Sequence, residues 1–478
     1  MDMNKLREAT SRIWNAETLP ALKTFVSRES LSTDFDPEWE KHGILNEVCR
    51  EAAAWGTRML PRGTYDVQQE PGRTPALIFS VPGTGLYAGR EEDTVFFYGH
   101  LDKQPPATGW SEGLGPFTPV VRDGKLYGRG CSDDGYSVYA ALTAIRALED
   151  AGIPHPRAVG LIETREESGS NDLEHYLKKN AARFGSPRLV CVLDSGAGNY
   201  EQLWLTSSLR GACAIDLNVR VLRQGIHSGT ASGVVPSSFD VLRILLDRIQ
   251  DPRTGAILDP AFNVEIPSNR MDDMKKTAEV LGDGFISEFP WAEGPNGSVQ
   301  SRCCGTEEAL IARCWKPTLS VTGAAGLPPL SMAGNSLRSD TTLRLSFRLP
   351  PTAKTENILP ALQKKLLTDP PFNAVVSIAG GDALPGWNAP SEADWFRSAC
   401  DESSKALWGK PAMRIGEGGS IPILNLFEAQ FPRAQFAVTG VLGPGSNAHN
   451  ADESLDLAYT EKFIAAVGYL AASIPEEA

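Results

Sequence analysis

The sequence predicts an α/β chain in which a domain with a mostly parallel sheet flanked by helices is interrupted by an α+β domain. Between residues 94 and 193, short apolar runs alternate with helical stretches, as in a parallel sheet covered on both faces. From about residue 206, apolar and polar residues alternate instead, which is typical of antiparallel strands with one exposed face. After about Gly386 the first pattern resumes. We therefore assign 1–205 and 386–478 to one domain and 206–385 to the other.

Length and composition restrict the class of protein. A chain of 478 residues is too long for a single core, and its net charge of -13, without any Lys/Arg run, argues against nucleic acid as a partner. No apolar run approaches the ~20 residues that span a bilayer, and the N-terminus lacks the apolar core of a signal peptide. We expect a cytoplasmic protein with no membrane partner, whose eight scattered cysteines are reduced thiols.

The elements of the first domain follow from this alternation. The apolar runs predict strands at 95–98, 158–162 and 189–193, and the stretches between them predict helices at 137–149 and 171–184.

In the second domain, the alternation of apolar and polar residues predicts the strands. We predict strands at 212–222, at 341–348 and through Val375-Val376, with helices at 236–249 and 355–367. The segment 251–315 is rich in Pro, Gly and charge and receives no assignment.

Polar residues with metal-binding side chains follow each predicted strand of the first domain. The first strand is followed by His100 and Asp102, the second by Glu166 and Glu167, and the third by Asp194. Ligands bind beyond the carboxyl ends of parallel strands, so these five side chains are expected at one edge of the sheet. This coincidence is the strongest physical indication of a site.

Asp133 and Asp134 lie on a glycine-bounded turn, Gly128 to Gly135, directly before a predicted helix. A carboxylate held there could bridge two cations through its two oxygens. Taken alone, the pair is better explained as an Asp-rich turn that caps the helix.

The two adjacent glutamates that follow the second predicted strand could have different roles. Glu166 and Glu167 would repel each other in a cleft unless a cation compensates, so one could be a ligand and the other a general base. Asp102, two residues from His100, could orient that imidazole. A solvated acidic loop and a surface turn remain the alternatives.

Further candidates lie later in the chain. His227 stands in a loop and Arg348 ends an alternating strand, positions where a plain loop histidine and a surface arginine are also expected. Gly418, Gly419 and Ser420 precede Pro422 at a predicted helix start, where free backbone N–H groups could hold a carboxylate. His449 lies in the segment 446–453.

The order of these motifs resembles that of the two-metal aminoacylase and carboxypeptidase family. The chain length and the segments 347–350 and 417–422 are similar to the carnosinase and cytosolic non-specific dipeptidase branch. The motifs that carry the resemblance are Tyr98-Gly99-His100-Leu101-Asp102, Leu126 to Gly135, Glu166 to Ser170, Val192 to Gly196, His227-Ser228-Gly229 and Asn447-Ala448-His449.

The resemblance implies two divalent metal ions, Zn or Mn, in a catalytic domain interrupted by a lid and dimerisation domain. Asp133 would bridge the ions, with His100 and Asp194 completing one site and Glu167 and His449 the other. Glu166 would be the base, and Asp102, beside the His100 imidazole, would be a further catalytic residue. Arg348 and the segment Gly418 to Ser420 would bind a substrate carboxylate. His227 would stabilise the oxyanion, and in a homodimer it would do so at the metal site of the partner subunit.

The sequence departs from the family pattern at two places. Tyr136 stands where many relatives have Lys, and Asn335-Ser336-Leu337 only loosely matches the Asn-hydrophobic-Pro segment of the family's second domain.

The function expected on these grounds is hydrolysis of the amide bond of dipeptides or short peptides with a free C-terminal carboxylate. An N-acyl amino acid deacylase with the same metal centre is the nearest alternative. A serine hydrolase is disfavoured because the chain has no Gly-x-Ser-x-Gly segment. A non-catalytic binding protein would have no use for a base beside two metals.

Overall fold

The computed structural model describes residues 1–475 and divides the chain into two units. One unit comprises Met1–Thr206, Ala389–Ile415 and the chain from Ile423 onward, and the other comprises Ser207–Asn388 and Gly416–Pro422. The predicted boundaries at 205/206 and 385/386 lie within three residues of two of these divisions. The roles of the units as catalytic and lid domains stay predictions.

The elements up to Leu209 come first, and all but the last three residues of this stretch belong to unit 1. The helices are α1 (Met3–Ile13), α2 (Leu19–Val26), α3 (Trp39–His42), α4 (Ile44–Met59), α5 (Tyr136–Asp150), α6 (Leu173–Lys179) and α7 (Ala181–Phe184). The strands are β1 (Thr64–Gln68), β2 (Ala76–Val81), β3 (Thr94–His100), β4 (Val120–Arg122), β5 (Lys125–Tyr127), β6 (Arg157–Glu163), β7 (Leu189–Val192) and β8 (Trp204–Leu209).

The inserted unit 2 follows. The strands are β9 (Gly211–Arg220), β10 (Ile226–His227), β11 (Glu293–Gly294), β12 (Gly297–Ser298), β13 (Thr318–Ala325), β14 (Ser336–Leu337), β15 (Asp340–Leu349), β16 (Val375–Leu384) and β17 (Trp387–Asn388). The helices are α8 (Ser228–Ala231), α9 (Ser238–Asp247), α10 (Ser268–Leu281), α11 (Gly284–Ser287), α12 (Thr306–Trp315) and α13 (Ile358–Leu367).

The rest of the chain returns mainly to unit 1. Its elements are α14 (Asp394–Trp408), β18 (Met413–Glu417), α15 (Ile423–Gln430), β19 (Gln435–Val438), β20 (Ser454–Asp456) and α16 (Leu457–Ala472).

The main sheet of unit 1 has the order β1-β2-β6-β3-β7-β19. The pairs β6–β3, β3–β7 and β7–β19 are parallel, whereas β1–β2 and β2–β6 are antiparallel. The predicted mostly parallel sheet is therefore confirmed, with an antiparallel edge that the sequence pattern did not indicate.

Helices cover both faces of this sheet. Phe96 of β3 packs against Phe184 of α7 and Phe431, with ring centroids 5.1 and 5.0 Å apart. On the opposite face, a Cβ on Gly99 would lie 2.0 Å from Oγ of Ser137 in α5, so only glycine lets this helix approach β3 closely. This close approach brings the start of α5 to the end of the strand.

The sheet of unit 2 has the order β13-β15-β9-β16 and is antiparallel throughout. Its core joins alternate residues of β9 and β15 to the apolar sides of α9 and α13, for example Leu217, Leu345, Leu242 and Leu362. The opposite face of these strands carries polar pairs such as Arg344 and Asp216. The predicted α+β arrangement with helices on one face is thus observed.

Three details differ from the sequence prediction. The predicted helix at 171–184 breaks at Asn180, whose side chain exchanges hydrogen bonds with Gln68 of β1. The helix at 355–367 opens with a 3-10 turn, so α13 begins at Ile358. The unassigned segment 251–315 contains α10, α11, α12 and the short pair β11–β12.

Among the described residues, no helix is long and apolar enough to cross a membrane. A cytoplasmic location stays a prediction.

Candidate metal centre

The carboxyl ends of three neighbouring parallel strands bring the first candidate residues together. His100 is the last residue of β3, Glu166 begins a 3-10 turn just after β6, and Asp194 lies two residues beyond β7. His100 Nε2 lies 3.8 Å from Asp194 Oδ2 and 4.0 Å from Glu166 Oε2. These strand ends therefore meet at one edge of the sheet, as the order of the sequence motifs predicts.

Asp133 lies between two groups of possible ligands. Its Oδ1 is 3.4 Å from His100 Nε2, and its Oδ2 is 2.9 Å from His449 Nε2. His449 Nε2 is in turn 3.4 Å from Glu167 Oε2. Candidate ligand atoms lie within 4.8 Å of one another in two sets, His100–Asp133–Asp194 and Asp133–Glu167–His449. The two sets share Asp133, one oxygen facing each.

Asp102 fixes the geometry of its neighbours. Its Oδ1 lies 3.3 Å from His100 Nδ1 and accepts the Glu166 N–H at 3.1 Å, while its Oδ2 accepts the Glu167 N–H at 3.1 Å. His100 Nδ1 also lies 3.1 Å from the backbone carbonyl of Asp102, so this residue orients the imidazole while its carboxylate holds the turn that carries both glutamates.

Glu453 is a supporting residue to which sequence reasoning gave no role. It is fully buried, pairs with Arg129 NH1 at 2.7 Å, and accepts the backbone N–H groups of Gly130, Ser132 and Asp133. It therefore holds the turn before α5 in place. Its position four residues after His449 is the only sequence signal, and that signal does not distinguish a buried carboxylate from a solvated one.

Tyr136, the departure noted in the sequence, also supports the centre. It is buried at the start of α5, and its hydroxyl donates to the backbone carbonyl of Leu193, next to Asp194.

Carboxylates dominate the electrostatics of the cluster. Burial, and then the charge of Asp133, raises the pKa of Glu167 to about 10, and burial raises the pKa of Asp194 to about 6. Burial acts to raise the pKa of Asp133 too, but the facing imidazoles of His100 and His449 hold it below its usual range. The cluster thus has more buried carboxyl groups than its imidazoles could balance if all of them were ionised.

This donor set fits divalent cations. His100 Nε2 and Glu167 Oε1 are buried and make no hydrogen bond within the described chain. Cations between the two ligand groups would satisfy these atoms and offset the repulsion among the carboxylates. Imidazole and carboxylate ligands suit zinc and manganese alike.

Glu166 is more exposed than its neighbour Glu167. Its side chain is 22% exposed, and burial followed by the charge of Asp194 raises the pKa of its carboxyl well above the usual range. It belongs to neither of the two ligand sets found among the described residues.

The remaining candidates lie in unit 2. His227 is exposed at the end of β10, and its Nδ1 accepts the Gly229 N–H at 3.1 Å. An acceptor at Nδ1 places the proton of the neutral ring on Nε2. The exposed nitrogen is therefore a hydrogen-bond donor.

Arg348 and the segment Gly418 to Ser420 meet within unit 2. Arg348 NH1 donates to Ser420 Oγ at 3.2 Å, and the Ser420 hydroxyl donates to the carbonyl of Arg210. The helix predicted to start at this segment, α15, begins at Ile423. Arg210 Nε also donates to the Gly418 carbonyl at 3.2 Å. These bonds explain why Gly416–Pro422 groups with unit 2 rather than with the domain to which it was assigned.

A family model described as peptidase family M20/M25/M40 matches residues 96–474. The Schizosaccharomyces pombe Cys-Gly metallodipeptidase dug1 is 26% identical over 472 residues, which cover 96% of this chain and 95% of that protein. The human Beta-Ala-His dipeptidase is 26% identical over 459 residues, covering 91% of this chain and 86% of its own.

Solved structures share the fold. Human carnosine dipeptidase 1 superposes with a TM-score of 0.73 at 22% identity, covering 99% of both chains. The Saccharomyces cerevisiae dipeptidase Dug1p superposes with a TM-score of 0.72 at 21% identity, again over 99% of both chains.

Proposed function

The chain belongs to peptidase family M20/M25/M40, and on that premise we propose that it hydrolyses dipeptides or short peptides with a free C-terminal carboxylate. The observation that carries the proposal is the pair of ligand sets that share Asp133. The relatives named as Cys-Gly and Beta-Ala-His dipeptidases, matched over most of both chains, support dipeptides as the substrate class.

We infer that two divalent cations, zinc or manganese, are held by these sets: His100, Asp133 and Asp194 for one, and Asp133, Glu167 and His449 for the other. When bound, the cations supply acidification of an attacking water and polarisation of the scissile carbonyl. Glu453 and Asp102 keep the ligand-bearing turns in place through the hydrogen bonds described above.

Glu166 is the proposed general base. Its carboxylate takes a proton from the attacking water and then delivers it to the leaving amine. Glu166 lies next to a ligand, Glu167, and both N–H groups are fixed by Asp102, so the base is held at a set distance from the centre. His227, with its proton on Nε2, donates to the oxyanion that develops on the carbonyl oxygen.

Arg348, Gly418, Gly419 and Ser420 are proposed to hold the substrate carboxylate. The hydrogen bond from Arg348 to Ser420 keeps both side chains in one place. Replacing Arg348 with Ala should cost about 2 kcal/mol or more of transition-state stabilisation on a dipeptide. The check is kcat/KM for a dipeptide and for its C-terminal amide: the amide should be a poor native substrate and lose little further in the variant. Equal losses on both substrates would refute the role.

We further propose a homodimer in which each His227 serves the partner's site. His227 is exposed, and large exposed apolar side chains lie on the segments around it. Val234 is 84% exposed, Leu330 95% and Met332 75%, and the last two lie just before β14, which pairs with β10. Such apolar exposure is typical of a surface that another chain covers.

A substrate panel tests the function. The purified protein, with zinc or manganese added, is assayed on free dipeptides and on N-acetyl and N-succinyl amino acids, with and without a chelator. We expect chelator-sensitive dipeptide hydrolysis that exceeds deacylation. Preferential deacylation would favour an N-acyl amino acid deacylase, and activity that persists without metal would contradict the proposal.

A further inference from the structure

Two adjacent cysteines, Cys303 and Cys304, lie in the irregular segment before α12, and neither is among the residues proposed for hydrolysis. Both are free thiols; Cys304 is exposed and Cys303 is partly exposed. Neither side chain belongs to the metal-ligand sets found among the described residues. They are thiols of the described chain that reagents in solution can reach.

The other six cysteines offer no competing site. Each of them is buried in the described structure: Cys49, Cys131, Cys191, Cys213, Cys314 and Cys400. Since the reactivity of a thiol depends on exposure, thiol chemistry of the folded protein is confined to the adjacent pair.

The spacing of the pair favours chelation over an ordinary disulfide. Consecutive Cα atoms across a trans peptide are about 3.8 Å apart, below the ~4.4–6.8 Å that disulfides usually span. An atom inserted between the two sulfurs enlarges the ring and relieves this restriction. The pair therefore suits a ligand that bonds both sulfurs through one central atom.

Hydrogen bonds hold the main chain of the pair, and the Ser301 side chain also hydrogen-bonds the Cys303 thiol. The Cys303 N–H donates to Ser301 Oγ at 3.0 Å, and the Cys304 N–H donates to Glu308 Oε2 at 2.6 Å. Both bonds engage the main chain, so neither uses a sulfur atom. Gly305 follows directly, and α12 begins at Thr306.

We propose that Cys303 and Cys304 form a dithiol site that chelates a trivalent arsenical. In the reaction with phenylarsine oxide, two As–S bonds form and the As–O bond breaks. Both thiol protons leave with the oxygen as one water molecule, and neither sulfur nor arsenic changes oxidation state. Soft thiolate ligands prefer such a centre, whereas the oxygen and imidazole ligands around Asp133 do not.

Titration of the reduced, folded protein with phenylarsine oxide, followed by intact-mass measurement, tests the proposal. We expect one phenylarsenical per chain. Cys303→Ser and Cys304→Ser should each weaken retention of the phenylarsenical against a competing small dithiol by roughly 10²-fold or more, because the single remaining sulfur cannot form a chelate. Cys49→Ala, which removes a buried thiol, is the matched control and should bind like the native protein.

Thermal unfolding and dipeptide hydrolysis of the two serine variants should match the native protein, which shows that lost binding is not lost folding. The proposal is overturned if the native protein takes up no arsenical while both thiols are reduced. It is also overturned if either serine variant keeps native affinity, or if the adduct maps to another cysteine.

Discussion

Asp133 faces two groups of ligands because other carboxylates position the chain around it. Glu453 holds the turn through backbone N–H groups and Arg129, and Asp102 holds the turn of Glu166 and Glu167. The order of the motifs in the sequence was sufficient to predict the candidate metal ligands. The role of Glu453 was missed because the sequence alone does not show whether a glutamate is buried as a hydrogen-bond acceptor or exposed to solvent.

Replacing Glu166 with Gln tests the proposed division between base and ligand. The amide keeps the shape of the side chain but does not accept the proton, so kcat should fall by roughly 10²-fold or more. Bound metal should stay at the native level, because neither ligand set includes Glu166. Steady-state kinetics and elemental analysis of the same preparation check both points, and near-native kcat would place the base elsewhere.

At the scale of elements, the parallel strands β6, β3 and β7 were predictable and account for most of the site. Their apolar runs stand out in the sequence, and polar residues follow each strand end. The antiparallel edge and the break at Asn180 were not predictable, because both depend on pairing with residues far away in the chain, such as Gln68. The helices in 251–315 lacked a clear apolar period.

Lys103 links two elements and gives a test of stability. This fully buried side chain lies beyond β3, and its Nζ donates to the carbonyls of Phe25, Val26 and Arg28 at the end of α2. Lys103→Met keeps most of the volume but leaves these carbonyls with fewer donors, so the free energy of unfolding should fall by about 1–3 kcal/mol. Urea denaturation measures the change, and an equally stable variant would contradict it.

The same substitution has a pH signature. Burial lowers the pKa of Lys103 from 10.5 to about 7. Between these values the unfolded chain binds the extra proton, so this group's contribution to stability rises with pH from about 7 to 10.5 and is lowest below 7. The stability deficit of Lys103→Met should therefore be larger at pH 9 than at pH 6, and a deficit independent of pH would contradict the assignment.

At the scale of the whole molecule, the change of strand pattern near residues 206 and 386 marks an inserted unit. The place of Gly416–Pro422 in unit 2 was not predicted, because a segment of seven residues is too short to show a strand or helix pattern. Its hydrogen bonds with residues such as Arg210 connect it to unit 2. The proposed sharing of His227 between chains requires an assembly that a sequence does not encode as a local pattern.

Mixed dimers test that sharing. Homodimers of His227→Ala and of Glu166→Ala should both be inactive. After exchange between equal amounts, half of the dimers are mixed, and each mixed dimer has one site with an intact Glu166 and the partner's intact His227. Activity should recover to roughly a quarter of native sites. No recovery after verified exchange would count against sharing, and a monomeric active enzyme would exclude it.

The most direct test of the shared metal centre is to measure metal content and dipeptide hydrolysis together in the native protein and in Asp133→Ala. Because both ligand sets contain Asp133, the native protein should hold two divalent ions per chain and hydrolyse dipeptides, and the variant should lose most of the metal and all activity. A folded Asp133→Ala protein that still holds two ions per chain would contradict the account.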